Sequence, residues 1–399
     1  MEKTSEAIAT NRIIVRPAPA LGRHGFSRAL TDFLKKNAVA VIAFCAAAVT
    51  AVIVPPDSAY IEYFDFKTLA CLLSVLAVVC ALRHVRFFYA LALKIVRLFG
   101  TVRACCAAAV CVTFIGSMLI ANDMALLTFL PLGYMILKAG RMEKYTAKLF
   151  ILQTIAANLG GMLTPFGNPQ NLYLYGFYSI ADGDFLSVMA PPFLLSVLLF
   201  GLCCLFFFKP EKMTVPEEKI VLPKGKTALL LVLFAVSIVM VFRILPYYVG
   251  LAVVVVSLLF IDRSAFRDVD WSLLLTFVFF FIFAGNMSRM APVRELISSL
   301  LEKDTLLVSA ASCQFISNVP SAIFLSRFTE NWKELLVGVN IGGTGTLIAS
   351  LASLITCREY VRHDPASGKG LRYVAEYSAF SFSFLAVLLI FERLLLRLG

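Results

Sequence analysis

The chain has 399 residues, 60% of them hydrophobic and only 15% charged, against about 25% charged for an average soluble domain. So much apolar surface leaves too little polar area to cover a water-soluble globule, and the composition implies a polytopic membrane protein held in the lipid bilayer. The net charge of +11 is scattered over short loops between apolar runs, a pattern that membrane topology explains, so no nucleic-acid partner is expected.

Residues 1–37 are polar and basic and lack a secretory h-region with a cleavage site. They read as a cytoplasmic tail with an interfacial helix near Phe26 to Leu34. Apolar runs at 38–55 and 67–82 are long enough to span, and Arg83 to Arg103, basic and apolar by turns, suits a helix lying along the interface. Residues 104–120 and 124–137 flank Asn122-Asp123 and carry basic residues at both outer ends, which predicts a re-entrant hairpin with Asn122-Asp123 at its tip. Residues 149–180 are too long for one straight span and hold Asn158-Leu-Gly-Gly-Met-Leu-Thr-Pro-Phe-Gly-Asn-Pro-Gln-Asn171, a run of helix breakers and polar side chains. A broken helix is expected there, followed by a return at 185–208.

The Pro- and Lys-rich stretch 209–226 reads as a cytoplasmic linker that ends a first repeat of 38–208. The second half, 227–399, opens with an extra helix at 227–242 and a run at 247–261, and then repeats the first half's order. A span at 271–285, an interfacial segment from Met287 to Lys303, a hairpin at 305–329 around Ser317-Asn318, a broken helix at 334–356 and a closing run at 374–391 follow in turn. The extra helix would invert the second repeat. The expected fold is an all-α polytopic membrane protein of two inverted repeats, with about nine full transmembrane helices, two re-entrant hairpins and two broken helices. Its N-terminus would be cytoplasmic and its C-terminus external.

Paired, broken hydrophobic segments in corresponding halves point to the binding site of a secondary transporter. Asn340-Ile-Gly-Gly repeats the Asn-x-Gly-Gly opening of Asn158. Helix N-termini at the breaks suit an anionic oxygen, and carbonyls freed by Gly-Gly suit Na⁺. The expected substrate-binding residues are Asn122, Thr164, Asn168, Asn171, Ser317, Asn318, Ser321, Thr344 and Thr346, with Ser350 as a further hydroxyl. The expected ion-coupling residues are Asp123, Asn158, Gly160, Gly161, Asn340, Gly342 and Gly343. Asp123 is the one acidic residue deep in an apolar stretch. It reads either as a cation or proton ligand or as a helix cap. Arg243 and Glu392, near segment ends, read as interfacial. The cysteines fall mainly within apolar runs without metal-ligand spacing, and His24, His84 and His363 lie in polar flanks, so no metal site is expected. No hydrolase triad, phosphate loop or haem pattern is present, so an enzyme is not expected, and Na⁺ or H⁺ as coupling ion is the only cofactor foreseen.

The run from Asn158 through Thr164-Pro-x-Gly-Asn-Pro-x-Asn171, with Ser317-Asn318-Val319-Pro320 and Asn340-x-Gly-Gly, resembles the ion transporter superfamily, especially its citrate-transporter-like and arsenite-permease-like anion permeases. The resemblance covers roughly residues 38–395. It implies a bacterial-type inner-membrane secondary transporter with scaffold and transport domains, often a homodimer, that moves its site by an elevator-like motion. Dicarboxylate symporters of the superfamily carry Ser-Asn-Thr at both tips. Ala121-Asn122-Asp123 and Ser317-Asn318-Val319 depart from that pattern, and the Asn-Asp tip is closer to the arsenite-permease and Na⁺/H⁺-antiporter branches. The leading expectation is a permease for a small anion or oxyacid, citrate- or dicarboxylate-like or arsenite-like. The alternatives are an Na⁺/H⁺ antiporter using Asp123 and a membrane scaffold without transport.

Overall fold

The computed structural model describes residues 37–215, 218–363 and 369–398. The basic tail before Asn37, with the helix expected near Phe26 to Leu34, lies outside the described residues. Within them all regular structure is helical apart from one isolated bridge between Thr101 and Lys212. Among the described residues, six helices are long and apolar enough to cross a membrane: Phe66–His84, Val102–Ile120, Asp182–Phe207, Lys224–Val241, Trp271–Arg289 and Gly370–Arg397. The protein is an all-α polytopic membrane protein.

Polar residues at the apolar boundaries set where helices begin. The side chains of Asp65, Asp270, Asp304 and Asn331 accept from Thr68 N, Leu273 N, Leu307 N and Glu334 N, each satisfying an otherwise unpaired first-turn donor.

The helices can be followed as two groups that meet where Trp271–Arg289 packs on Asn318–Leu325. In one, Ala38–Ile53 packs on Trp271–Arg289, and Phe66–His84 packs on Lys224–Val241 and Tyr247–Ile261. In the other, Val102–Ile120 and Asn122–Ala139 fold back on each other and on Thr146–Gly160, while Thr305–Ile316 and Asn318–Leu325 fold back likewise against Trp332–Ile341. Gln153 shows the first fold-back directly, since its Nε2 donates both to Thr113 Oγ1 (3.0 Å) and to Phe129 O (3.1 Å) on the two legs. In the second hairpin the Ser312 and Ser321 hydroxyls meet across the legs at 2.9 Å.

The hairpins enter from opposite ends of the bundle. At the base of the first, Val102 N donates to Glu211 O and Arg103 Nε to Phe208 O, at the C-terminal end of Asp182–Phe207. At the base of the second, the Tyr178 hydroxyl, four residues before that helix begins, donates to Ser326 O (3.2 Å) and Thr329 O (2.6 Å).

Contacts between hairpin and broken helix recur at equal offsets in the two halves. A Cβ on Gly160 would meet Phe114 O at 2.1 Å, and one on Gly342 would meet Ala310 O at 3.0 Å; both carbonyls lie eight residues before the tip asparagine. The Thr164 hydroxyl donates to Met118 O (2.7 Å) and the Thr346 hydroxyl to Gln314 O (3.1 Å), both four residues before it.

Candidate functional site

Each hairpin turns on a single residue in a conformation that is almost confined to glycine. Ala121 has φ 61°, ψ 152° and Ser317 has φ 73°, ψ 158°. A non-glycine residue there costs about 1–3 kcal/mol and persists only where its surroundings enforce it. The following asparagine folds its side chain back in both tips. Asn122 Oδ1 accepts from Asp123 N (3.0 Å), and Asn318 Oδ1 accepts from Val319 N (2.9 Å).

The tips converge on consecutive residues of the second broken helix. Asn122 Nδ2 donates to Asn158 Oδ1 (3.0 Å) and approaches Ser350 Oγ at 3.4 Å, while Asn318 N donates to Ala349 O (3.0 Å). Gly343 passes between them. Its carbonyl accepts from Asn158 Nδ2 (3.2 Å), and a Cβ added to it would stand 3.0 Å from Asn318 Nδ2.

The broken helices are cross-tied. The Ser350 hydroxyl donates to Asn158 Oδ1 (2.8 Å), and in the other direction Asn168 Nδ2 reaches Asn340 Oδ1 (3.4 Å); Asn168 and Ser350 each lie ten residues after the asparagine of their own segment. Asn340 Nδ2 donates to Asn171 Oδ1 at 2.6 Å. The carbonyls released by the breaks are met by side-chain amides. Asn171 Nδ2 donates to Gly161 O, Met162 O and Thr164 O, and Gln314 Nε2 to Gly342 O and Thr344 O. Buried backbone acceptors must find such partners, and here the amides supply them.

A cavity of about 570 Å³ opens beside this lattice, between the two helix groups. Of the residues expected from sequence, Asn122, Asp123, Ser317 and Asn318 line it, together with Ser350. Thr164, Asn168, Asn171, Asn158, Gly160, Gly161, Asn340, Gly342, Gly343, Thr344 and Thr346 lie in the hydrogen-bonded layer around the breaks, outside the lining. The Thr344 hydroxyl returns to Ile341 O (2.5 Å), and Ser321 faces the other leg of its hairpin. Asp123 Oδ1 is buried without a hydrogen-bond partner, and no side-chain cap bond closes the start of its helix.

The lining also includes residues not singled out from sequence: Arg83, Arg267, Asp268, Asp270, Trp271 and Arg358. Gln314 was missed as well. Its one signal is an amide within an apolar hairpin leg, four residues before the tip asparagine.

Two opposed hairpins and two interrupted helices closing on a cavity with polar and charged groups in its lining, within an apolar bundle, define a polytopic membrane transporter. Residues 27–331 match the family model described as "Citrate transporter", and the chain belongs to that family. Over 298 residues it is 33% identical to an uncharacterized transporter of Methanocaldococcus jannaschii, covering 74% of this chain and 81% of the relative. Over 302 residues it is 30% identical to the inner membrane protein YbiR of Escherichia coli K12, covering 74% and 80%. A shorter stretch of 115 residues is 31% identical to the low-affinity phosphate transporter PHO90 of Saccharomyces cerevisiae, covering 28% of this chain and 13% of that one.

Proposed function

We propose that the protein is a secondary active permease that moves a small anion or oxyacid by alternating access, coupled to Na⁺ or H⁺. The observation that carries this reading is the single cavity holding both hairpin tips, with amide and hydroxyl groups of Asn122, Ser317, Asn318 and Ser350 beside the Asp123 carboxylate. Amide and hydroxyl donors that exchange their bonds within the lattice for the cargo suit oxyanion oxygens, and a carboxylate suits a cation or proton, so cargo and coupling ion would be held side by side. The recurrent offsets and opposed entry of the hairpins favour inverted repeats, with the lattice of hairpins and broken helices moving against the other helix group. The inner-membrane relative and the basic loops support the location. An inner membrane is proposed, with residues 209–226 cytoplasmic, the N-terminus cytoplasmic and the C-terminus external, and the cavity of this conformation then opens inward.

Uptake into proteoliposomes of citrate, dicarboxylates, sulfate, phosphate and arsenite, with Na⁺ and pH gradients imposed separately, tests the reading. Gradient-driven uptake of one of these supports it. The partnerless Asp123 oxygen favours one second reading, an Na⁺/H⁺ antiporter. ΔpH-linked Na⁺ movement with no anion flux would replace the permease by the antiporter.

A further inference from the structure

Arg83 closes the helix Phe66–His84 on the non-hairpin side of the cavity, and Asp123 sits on the first hairpin tip across from it. Its guanidinium is half-buried and forms no ion pair among the described residues. Nη1 lies 3.5 Å from the sulfur of Met124, the residue next to Asp123. A thioether is a weak acceptor for a strong cationic donor, so the guanidinium is held at the edge of the site without a counter-charge. The other charged groups of the cavity are placed differently. Asp268 binds His84 Nε2 (2.7 Å), Asp270 caps the helix that starts at Trp271 and is the like charge that acts on Asp123, and Arg267 and Arg358 are exposed. One carboxylate oxygen without a partner and one half-buried arginine without a carboxylate therefore line the same cavity from two different helix groups.

We propose that Arg83 is the resident counter-ion of Asp123, competing with the coupling cation or proton and closing onto the carboxylate when the site is empty. An unpaired carboxylate is expensive to carry through a closed intermediate, and a guanidinium supplied by the opposite helix group removes that penalty without a bound ion. When the coupling ion takes Asp123, Arg83 is released toward the cavity. The inference rests on Asp123 being the coupling group.

Trp271 lines the same cavity, so its fluorescence in full-length protein carrying Trp332→Phe reports on the site. The probes are Na⁺ titrated at fixed pH and pH titrated without Na⁺. With its competitor removed, Arg83→Gln should bind the coupling ion roughly tenfold more tightly, seen as a lower Na⁺ midpoint or a midpoint pH about one unit higher. Arg83→Lys, which keeps the charge, should stay within a few-fold of the parent. An Arg83→Gln midpoint equal to the parent's, or a response abolished rather than shifted, would overturn the counter-ion role. Asp123→Asn should give no titration in either background. A titration that survives in Asp123→Asn, or a parent that answers neither ion, would instead remove the coupling role on which the inference stands.

Discussion

Asn158 and Ser350, 192 residues apart, are joined by a hydrogen bond of 2.8 Å from the serine hydroxyl to the amide oxygen, and Asn122 Nδ2 donates to that same oxygen from the first hairpin tip. One buried acceptor thereby ties a hairpin to both broken helices. All three side chains are almost fully buried, so any group left unmatched loses water without replacement.

Removing one member should therefore cost more than the bond itself is worth. Asn158→Ala leaves the Asn122 amide and Gly343 carbonyl short of partners, and about 1–3 kcal/mol of stability should be lost. Ser350→Ala should lose less, because it leaves part of the Asn158 acceptor and only the long bond from Ala352 N (3.3 Å) unmet. A double-mutant cycle read by thermal unfolding in detergent should show coupling between the two. Strict additivity would mean that the residues act independently.

The tip residues are strained, and that strain can be released. Ala121→Gly removes the Cβ from a conformation almost confined to glycine and should raise stability by about 1 kcal/mol, less any freedom gained by the unfolded chain, whereas Ser317→Gly also removes the hydroxyl that donates to Ala349 O (3.3 Å) and should gain less. A lower melting temperature for Ala121→Gly would show that its Cβ contributes packing larger than the strain.

Contact space at Gly160 predicts a contrast. Its Cβ would strike the Phe114 carbonyl and come within 2.4 Å of Ser117 Oγ, whereas Gly183 has nothing within 4 Å. Gly160→Ala should destabilise by about 1–3 kcal/mol or abolish insertion, as overpacking does, while Gly183→Ala should be nearly neutral. Comparable melting temperatures for the two variants would contradict the close approach of hairpin and broken helix.

At the end of the bundle where the cavity opens, Asp262 is buried at 9% exposure. Burial alone would push its carboxyl up, but hydrogen bonds from Lys226 (2.8 Å), Ser264 (2.5 Å) and His84 (3.1 Å) outweigh it and hold the group well below the usual carboxylate range. A depressed folded value contributes stability above the unfolded value of about 3.9, and that contribution fades as pH falls toward the folded one. Asp262→Asn should accordingly unfold at a lower temperature than the parent at pH 7, and the gap should narrow through the acid range. A gap independent of pH would assign the effect to packing.

The helical bundle, both hairpins and both breaks could be read from the sequence, because breakers and polar residues stand out inside runs that lipid otherwise keeps apolar. Ala121 and Ser317 were not readable as strained turns, since neither is a glycine and only the asparagine beside each carries a signal. Gln314 and Arg83 were missed for another reason. Each sits in or at the end of an apolar run, and only the folded chain shows that one meets the carbonyls of the second break and the other the first hairpin tip. The glycine pairs read from sequence as ion ligands, but their immediate physical role is to admit close neighbours, a hairpin carbonyl at Gly160 and Gly342 and an asparagine side chain at Gly161 and Gly343.

Asp123→Asn tests the proposed coupling most directly. The carboxylate caps no helix, and one of its oxygens is buried without a partner, so exchanging it for an amide of the same size breaks no bond that the fold relies on. Insertion and melting temperature should stay close to the parent's. If the charge binds the coupling ion, uptake should lose its dependence on the Na⁺ or pH gradient, while exchange of cargo between the two faces, which needs no net ion movement, should persist at a reduced rate. Flux measured in proteoliposomes at matched protein levels, with each gradient applied alone, separates these outcomes. Uptake with unchanged rate and unchanged ion dependence would move the coupling site away from the first hairpin tip.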